Sequence, residues 1–370
     1  MRNGQKQMRI FNLNHKIKEP TKIKIGIFTI IINQKHCERV QNIYQPTKHI
    51  YKHGSPPEVE EITKKYSKWL ETALLETSEI SPSLLQPDNP TATNITDFLM
   101  ILSFISGRRV ISETNVKRFN PNKNSSSITN LTHFFYYYGN KLIANIKGLT
   151  ESKLESAFCN FVSSLDKDEF FEKASYAFSI LNSIYEHNFS NYPKVLSGDA
   201  RKKLQDAAIE AIRSKGEELN IDPKIIEDIN KTGFGNFGTP SAVQKIRMLV
   251  VDMGILTAKE SEEYFDKIRM INQIRNSIAH NGDMRIFQSY EHEKNLRINV
   301  YMIEYIFDLI QFYFLFIILK IDEPEIEHGE KSKLRQFFIE GSYNGHHFFE
   351  ENYLDFLERK EKEWLENQKY

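Results

Sequence analysis

Lys22-Ile23-Lys24-Ile25 alternates polar and apolar residues with period two, and Ile27-Phe28-Thr29-Ile30-Ile31-Ile32 continues it in β-favouring residues. Together they predict a strand. Gly54-Ser55-Pro56-Pro57 punctuates the chain, and a helix is predicted over Glu58–Thr77. Ser81-Pro82 and Pro87-Asp88-Asn89-Pro90 break the pattern again before a helix at Asn94–Ile105. Gly107 then leads into a short strand, Arg108-Arg109-Val110-Ile111, and the polar stretch Asn120–Ser127 reads as a loop.

Beyond about residue 150 the period lengthens. Asp166–His187 repeats Phe170, Phe171, Ala174, Ala177, Phe178, Leu181 and Ile184 at helical spacing. Ser197–Leu219 follows, with Ser197 as N-cap and Asp199 in the first turn. Ser241–Met253, Ala258–His280 and an apolar helix ending near Ile321 complete the series. Residues 322–370 are acidic and helix-prone near Tyr353–Gln368. The fold class expected is therefore α+β: a mixed α/β domain over 1–150, an all-α bundle over 151–321, and an acidic helical tail over 322–370.

Composition refines this picture in three places. An apolar fraction of 40% and a charged fraction of 26% are those of an ordinary globular chain, which argues against disorder along the whole length. The net charge of zero hides an asymmetry: residues 1–53 carry eleven Lys/Arg against Glu19 and Glu38, so the front end is suited to nucleic acid or an acidic partner. The same excess fits a solvated strand face. Cys37 and Cys159 show no metal-type spacing and suit a reducing compartment, and no signal-peptide core opens the chain, so a cytoplasmic location is expected. Val300–Ile321 approaches the length of a membrane span, yet Glu304, Asp308 and Gln311 at i, i+4 and i+7 draw one polar stripe. A buried bundle helix, with no membrane contact, is expected there.

The chemistry gathers at the end of the fourth predicted helix of this half. At about 100° per residue, Ile271, Ile274 and Ile278 form a core stripe, while Asn272, Asn276 and His280 fall on a second line. Arg275 lies between them, and Asn281-Gly282-Asp283 is a helix stop. Cutting RNA without a metal takes a base for the ribose 2′-OH, an acid for the leaving 5′-oxygen, and a cation for the crowded phosphate. Histidine serves as base or acid at neutral pH, and arginine offers planar, permanently charged donors. Yet either residue near a helix C-terminus is also favoured by the exposed carbonyls and the dipole alone. Spacing does not choose between these readings. One histidine is ill-suited to both acid and base roles in a single step, which a two-fold dimer would remedy.

Ile274-Arg275-Asn276-Ser277-Ile278-Ala279-His280 resembles the signature of the HEPN superfamily, in which an arginine, a polar residue, three further residues and a histidine close a bundle helix. The likeness covers the motif and the succession of helices over about 165–321. It implies a four- or five-helix bundle, commonly dimeric, and a metal-independent endoribonuclease (a hydrolase-class nuclease) of prokaryotic toxin or anti-phage defence systems. Arg275 and His280 would be the catalytic pair and Asn276 the supporting residue. RNA would be the substrate, a homodimer the working form, and a defence component or antitoxin a further partner, with no cofactor and no metal. Some members of the superfamily cut nothing and only hold partners, so an interaction module is the alternative.

Other signals are weaker. Gly233-Phe234-Gly235-Asn236-Phe237-Gly238 matches a dinucleotide fingerprint in letters, but a predicted helix precedes it where a strand is required. His346-His347 with Glu350-Glu351 is an incomplete ligand set. Phe134-Phe135-Tyr136-Tyr137-Tyr138 has no interleaved cations and is expected to pack, and Arg108-Arg109 to begin a solvated strand.

Overall fold

The computed structural model describes residues 6–13, 15, 17–43, 47–50, 58–61, 71–112, 131–165, 167, 170–190, 198–233, 241–276, 292–321, 324–343 and 346–347. The fold is α+β. Two compact units interleave along the chain, Met1–Ile184 with Arg275–Glu351 and Tyr185–Ile274 with Asn352–Tyr370.

The first unit is built on a four-stranded antiparallel sheet of β1 (Lys6–Phe11), β2 (Thr21–Ile25), β3 (Phe28–Ile32) and β6 (Glu71–Thr77), in the order β1-β6-β3-β2. The single strand expected over residues 22–32 is a hairpin: Gly26, at φ 57°, takes a left-handed turn that a β-carbon would strain, and Lys24 comes opposite Thr29. Where a helix was expected over Glu58–Thr77, the described residues Glu58–Glu61 and Glu71–Thr77 form strands. β5 (Glu58–Glu61) pairs with β4 (Thr47–Ile50), after α1 (Gln34–Ile43), and β6 is a central strand between β1 and β3. Thr-Ala-Leu-Leu-Glu has good helix formers, but pairing on both sides outweighs that weak local preference. The expected strand at Arg108–Ile111 reduces to one bridge, Phe11 with Ile111.

Side chains alternate across this sheet except at an irregularity where Phe11 and Thr72 are buried beside Ile10 and Ala73. Ile10, Ile23, Ile25, Phe28, Ile30, Ile32, Ala73 and Leu75 are buried. The other face carries Gln7, Arg9, Lys22, Lys24, Thr29, Ile31, Leu74 and Glu76. Against the buried face lies α2 (Asn94–Ser106), where Phe98 stacks on Phe28 with ring centroids 4.2 Å apart. α2 is apolar nearly all round because it has neighbours on both sides: its far end places Phe104 against Phe158 and Phe161 of α5 (Glu155–Ser164) and against Phe314. Asp97 in its first turn accepts from Ser83 Oγ and from the amides of Leu84 and Leu85, which fixes the incoming loop.

α3 (Leu131–Ala144) packs beside β2, α4 (Lys147–Glu151) leads into α5, and α6 (Phe170–Ser190) buries Ala174, Ala177, Phe178, Leu181 and Ile184 as its periodicity predicts, whereas Phe171 of the same expected stripe is exposed. α12 (His292–Phe312) runs into a π-helical segment, Tyr313–Ile318. By length and composition Val300–Ile318 could cross a membrane, and most of it is buried within the protein. Its polar stripe explains how. Glu304 stays exposed, whereas Asp308 accepts from the Tyr343 hydroxyl and Gln311 donates to the Phe104 carbonyl at 2.9 Å. α13 (Pro324–Glu340) adds Leu334, Phe337 and Phe338 to the core, and β7 (Ser342–Tyr343) pairs with β8 (His346–His347). The stretch Tyr353–Gln368, expected to be helical, lies outside the described residues, as does the loop Asn120–Ser127.

The second unit holds α7 (Gly198–Glu218), α8 (Pro223–Gly233), α9 (Ala242–Asp252), α10 (Ala258–Glu263) and most of α11 (Phe265–Asn276). Ser197, the expected cap of α7, is outside the described residues. α7 and α8 touch where Gly216 leaves room for Ile226. Ser241 and Thr257 cap α9 and α10 with reciprocal capping boxes to Gln244 and Glu260. Arg247 of α9 holds α10 by donating to Ser261 Oγ and Glu262 Oε1, each at 2.8 Å.

Candidate functional site

The long helix expected over Ala258–His280 is two helices. α10 ends at Tyr264, whose φ of −103° and ψ of 22° leave the helical region, and α11 restarts at Phe265. Asp266 sits in the first turn of α11, on the favourable side of the dipole, and Lys267 lies 5.4 Å from the Tyr264 ring centroid. Of the expected core stripe, Ile271 and Ile274 are at most 1% exposed, as are Ile268 and Met270 of the same helix, while Ile278 lies outside the described residues. This anchoring fixes the rotation of α11 about its axis.

Arg275 and Asn276 are the last two residues of α11. The first two residues of the motif, Arg275 and Asn276, are thus helical, one turn beyond the buried Ile271. The side chains of Arg275 and Asn276 lie outside the described residues, together with Ser277, Ile278, Ala279 and His280. One turn earlier on the Asn276 line, Asn272 is half-buried, and its Oδ1 has no hydrogen-bond partner among the described residues. A shielded amide oxygen left without a donor is costly, so this position is primed for one.

Two features escaped the pattern. Beneath the first sheet, His15 and His36 are 4% and 0% exposed. His15 Nε2 faces the Thr72 carbonyl at 3.1 Å while its Nδ1 accepts from the Ile17 amide at 3.0 Å, which assigns the proton to Nε2. Burial, then the positive field of His36, pulls the His15 pKa down to about 4, against the raising effect of the Thr72 carbonyl. His36 Nε2 lies 3.1 Å from Glu71 Oε1, and Arg39 donates to the Glu71 carbonyl. The enabling device is a bulge in β6: Thr72 has no partner in β1, turns inward, and takes the Leu13 amide on its hydroxyl. No local signal in the sequence marks that bulge.

The aromatic run was expected to pack, and half of it does. Phe134 and Phe135 are buried, whereas Tyr136 and Tyr137 are 77% and 59% exposed. The change from phenylalanine to tyrosine was the signal available. Arg108 was expected on a solvated strand start and is instead 2% exposed.

Among the described residues no group of three or more His, Cys, Asp or Glu side chains is placed to hold a metal. Both cysteine thiols are pushed up, first of all by burial, which keeps them out of the reactive thiolate form. α8, a helix, runs into Gly233, so no strand leads into the glycine-rich stretch, and residues 234–240 lie outside the described residues. No protein-family model, no curated protein and no solved structure matches this chain.

Proposed function

We propose that the chain is a HEPN-type endoribonuclease whose reactive groups are Arg275 and His280, supported by Asn276, working in a composite site of two copies in prokaryotic anti-phage defence or as a toxin. The observation that carries this reading is that Arg275 and Asn276 belong to α11 and directly follow its buried face of Ile268, Ile271 and Ile274. A helix anchored in the core by such a face can present a charged group to a substrate in a fixed position.

The chemistry follows from the residue types. One histidine takes the proton of a ribose 2′-OH, and O2′ attacks the adjacent phosphorus. The P–O5′ bond breaks, and the 5′-oxygen leaves with a proton from a second histidine, that of the other copy. The products are a 2′,3′-cyclic phosphate and a 5′-hydroxyl. Arg275 stabilises the equatorial oxygens of the pentavalent phosphate with its planar donors. The bundle arrangement of the helices belongs to the same proposal.

The test is incubation of the purified chain with total RNA, wild type beside His280→Ala. Cleavage by the wild type alone is the expected result. Equal cleavage by both, or by neither, overturns the proposal.

A further inference from the structure

α7 is 21 residues long and buries only Gly216 along its whole length. α8 buries Ile226 alone among its described residues. The two close on each other as a hairpin. Asn220, at φ 54°, ends α7 in the left-handed region, and the Ile221 amide returns to the Gly216 carbonyl at 2.9 Å. Gly216 and Ile226, which meet, lie five residues either side of Ile221, so the helices run antiparallel. Helices take most of their stability in a protein from an apolar face packed on something else. Within this chain, one residue on each helix is covered in that way.

The uncovered side of the hairpin is apolar. Leu204, Ile225 and Ile229 are 43–53% exposed, and Leu219 and Ile221 in the connecting turn are 59% and 37% exposed. At about 100° per residue, α7 turns Ile212 and Gly216 towards α8 and sets Leu204, Ala207 and Ala211 on one flank. Ile225, one residue before the buried Ile226, and Ile229, three after it, share one flank of α8. In an antiparallel pair of right-handed helices these flanks fall on the same side. The five aliphatic side chains leave roughly 400 Å² in water, about the apolar half of the surface that each partner brings to a standard interface.

The charges on α7 select the partner. Arg201, Lys202 and Lys203 stand near its start and Glu217 and Glu218 at its end, where Glu218 also meets Lys215 of its own chain. A two-fold axis near Ala211 sets the cationic start of one α7 beside the anionic end of another. A face that is its own electrostatic complement fits a second copy better than an unrelated protein.

We propose that the α7–α8 hairpin is the contact between two copies of this chain, a two-fold interface centred near Ala211 with Leu204, Ile225 and Ile229 at its core. The choice of a second copy rests in part on the two-copy reading of the nuclease, for which it names a contact.

The test is sedimentation of the full chain across concentration, with circular dichroism beside it. The wild type should associate to a dimer. Leu204→Glu and Ile225→Glu should each raise the dimer dissociation constant about a hundred-fold or more, because a charge buried at a two-fold contact is counted twice. Helix content should not change, since both side chains are half exposed in the single chain. Lys202→Glu with Lys203→Glu should weaken the dimer about ten-fold, and adding Glu217→Lys with Glu218→Lys should restore it, which a damaged hairpin would not do. A wild type that stays monomeric at every concentration overturns the proposal and leaves the face to another protein or to residues 352–370. So does a dimer that Leu204→Glu and Ile225→Glu both leave intact. Monomeric variants that cut RNA like the wild type keep this contact and remove the two-copy site. A wild-type dimer broken by these variants that cuts no RNA keeps the contact and removes the nuclease.

Discussion

The side-chain amide of Gln311 donates to the main-chain carbonyl of Phe104 at 2.9 Å, joining α12 to the last turn of α2 inside the core. The last carbonyls of a helix have no partner within it, and this one takes its hydrogen bond in a buried place. Asn145 does the same for the π-helical segment, donating to the Leu319 carbonyl at 2.8 Å. Gln311→Leu keeps the volume and removes the donor, so it should cost about 1–3 kcal/mol of stability. Urea unfolding checks this. An unchanged midpoint would mean that another group reaches the Phe104 carbonyl.

The Gln311 stripe was legible because three polar residues at helical spacing stand out in an apolar run. Their partners were not, since Phe104 and Tyr343 are distant in sequence and only the fold brings them near. The isoleucine stripe of α11 was legible for the same reason of local period. Tyr264, which divides α10 from α11, continues a helical pattern and gives no breaker signal. β6 was misread because its fate depends on β1 and β3, not on Glu71–Thr77 itself. Of the candidate site, the sequence supplies residue types and their spacing. Their convergence depends on where the helix end meets its neighbours, which local period does not encode.

His15 makes stability depend on pH. Its folded pKa, about 4, lies below the ordinary histidine value of 6.5, so the unfolded chain binds the proton first as pH falls. The stability held above pH 6.5 is therefore lost progressively through pH 4, by about 3 kcal/mol in full. Asp97 acts in the opposite sense, because burial raises its pKa and its burden grows as pH rises above 3.8. Chemical unfolding between pH 7.5 and 4.5 should show falling stability, and His15→Gln should be less stable at pH 7.5 yet flatter with pH. An equal slope in the variant would assign the dependence to other groups.

Gly216 sits inside α7, where alanine would favour the helix by about 1 kcal/mol. A β-carbon there would fall 2.3 Å from Ile226 Cδ1 and 2.9 Å from its Cγ1. Ile226 is 5% exposed and has little room to retreat. Gly216→Ala should therefore destabilise the α7–α8 pair despite the better propensity. Adding Ile226→Val removes the Cδ1 clash, so the double variant should recover part of the loss, with a coupling above about 0.5 kcal/mol. Strict additivity would show that α8 moves aside at no cost.

The proposed chemistry makes its own demand on assembly. Each copy supplies one motif histidine, so acid and base must come from two chains, and cleavage should depend on dimer concentration. Specific activity should fall on dilution below the dimer dissociation constant and return on concentration, while Arg275→Ala and His280→Ala are inactive at every concentration. Mixing the two inactive variants is the sharper experiment. A mixed dimer of the two holds one intact histidine where the mechanism needs two, so it should stay inactive; returned activity would show that one histidine and one arginine suffice. With the acid, base and cation all drawn from side chains, cleavage should survive EDTA and leave 2′,3′-cyclic phosphate ends, with a bell-shaped pH profile from the two histidines. Arg275→Lys should remain poor, because a point charge does not reproduce the planar fork. Full specific activity in a strictly monomeric preparation would remove the two-chain site, and a strict requirement for added Mg²⁺ would remove the mechanism.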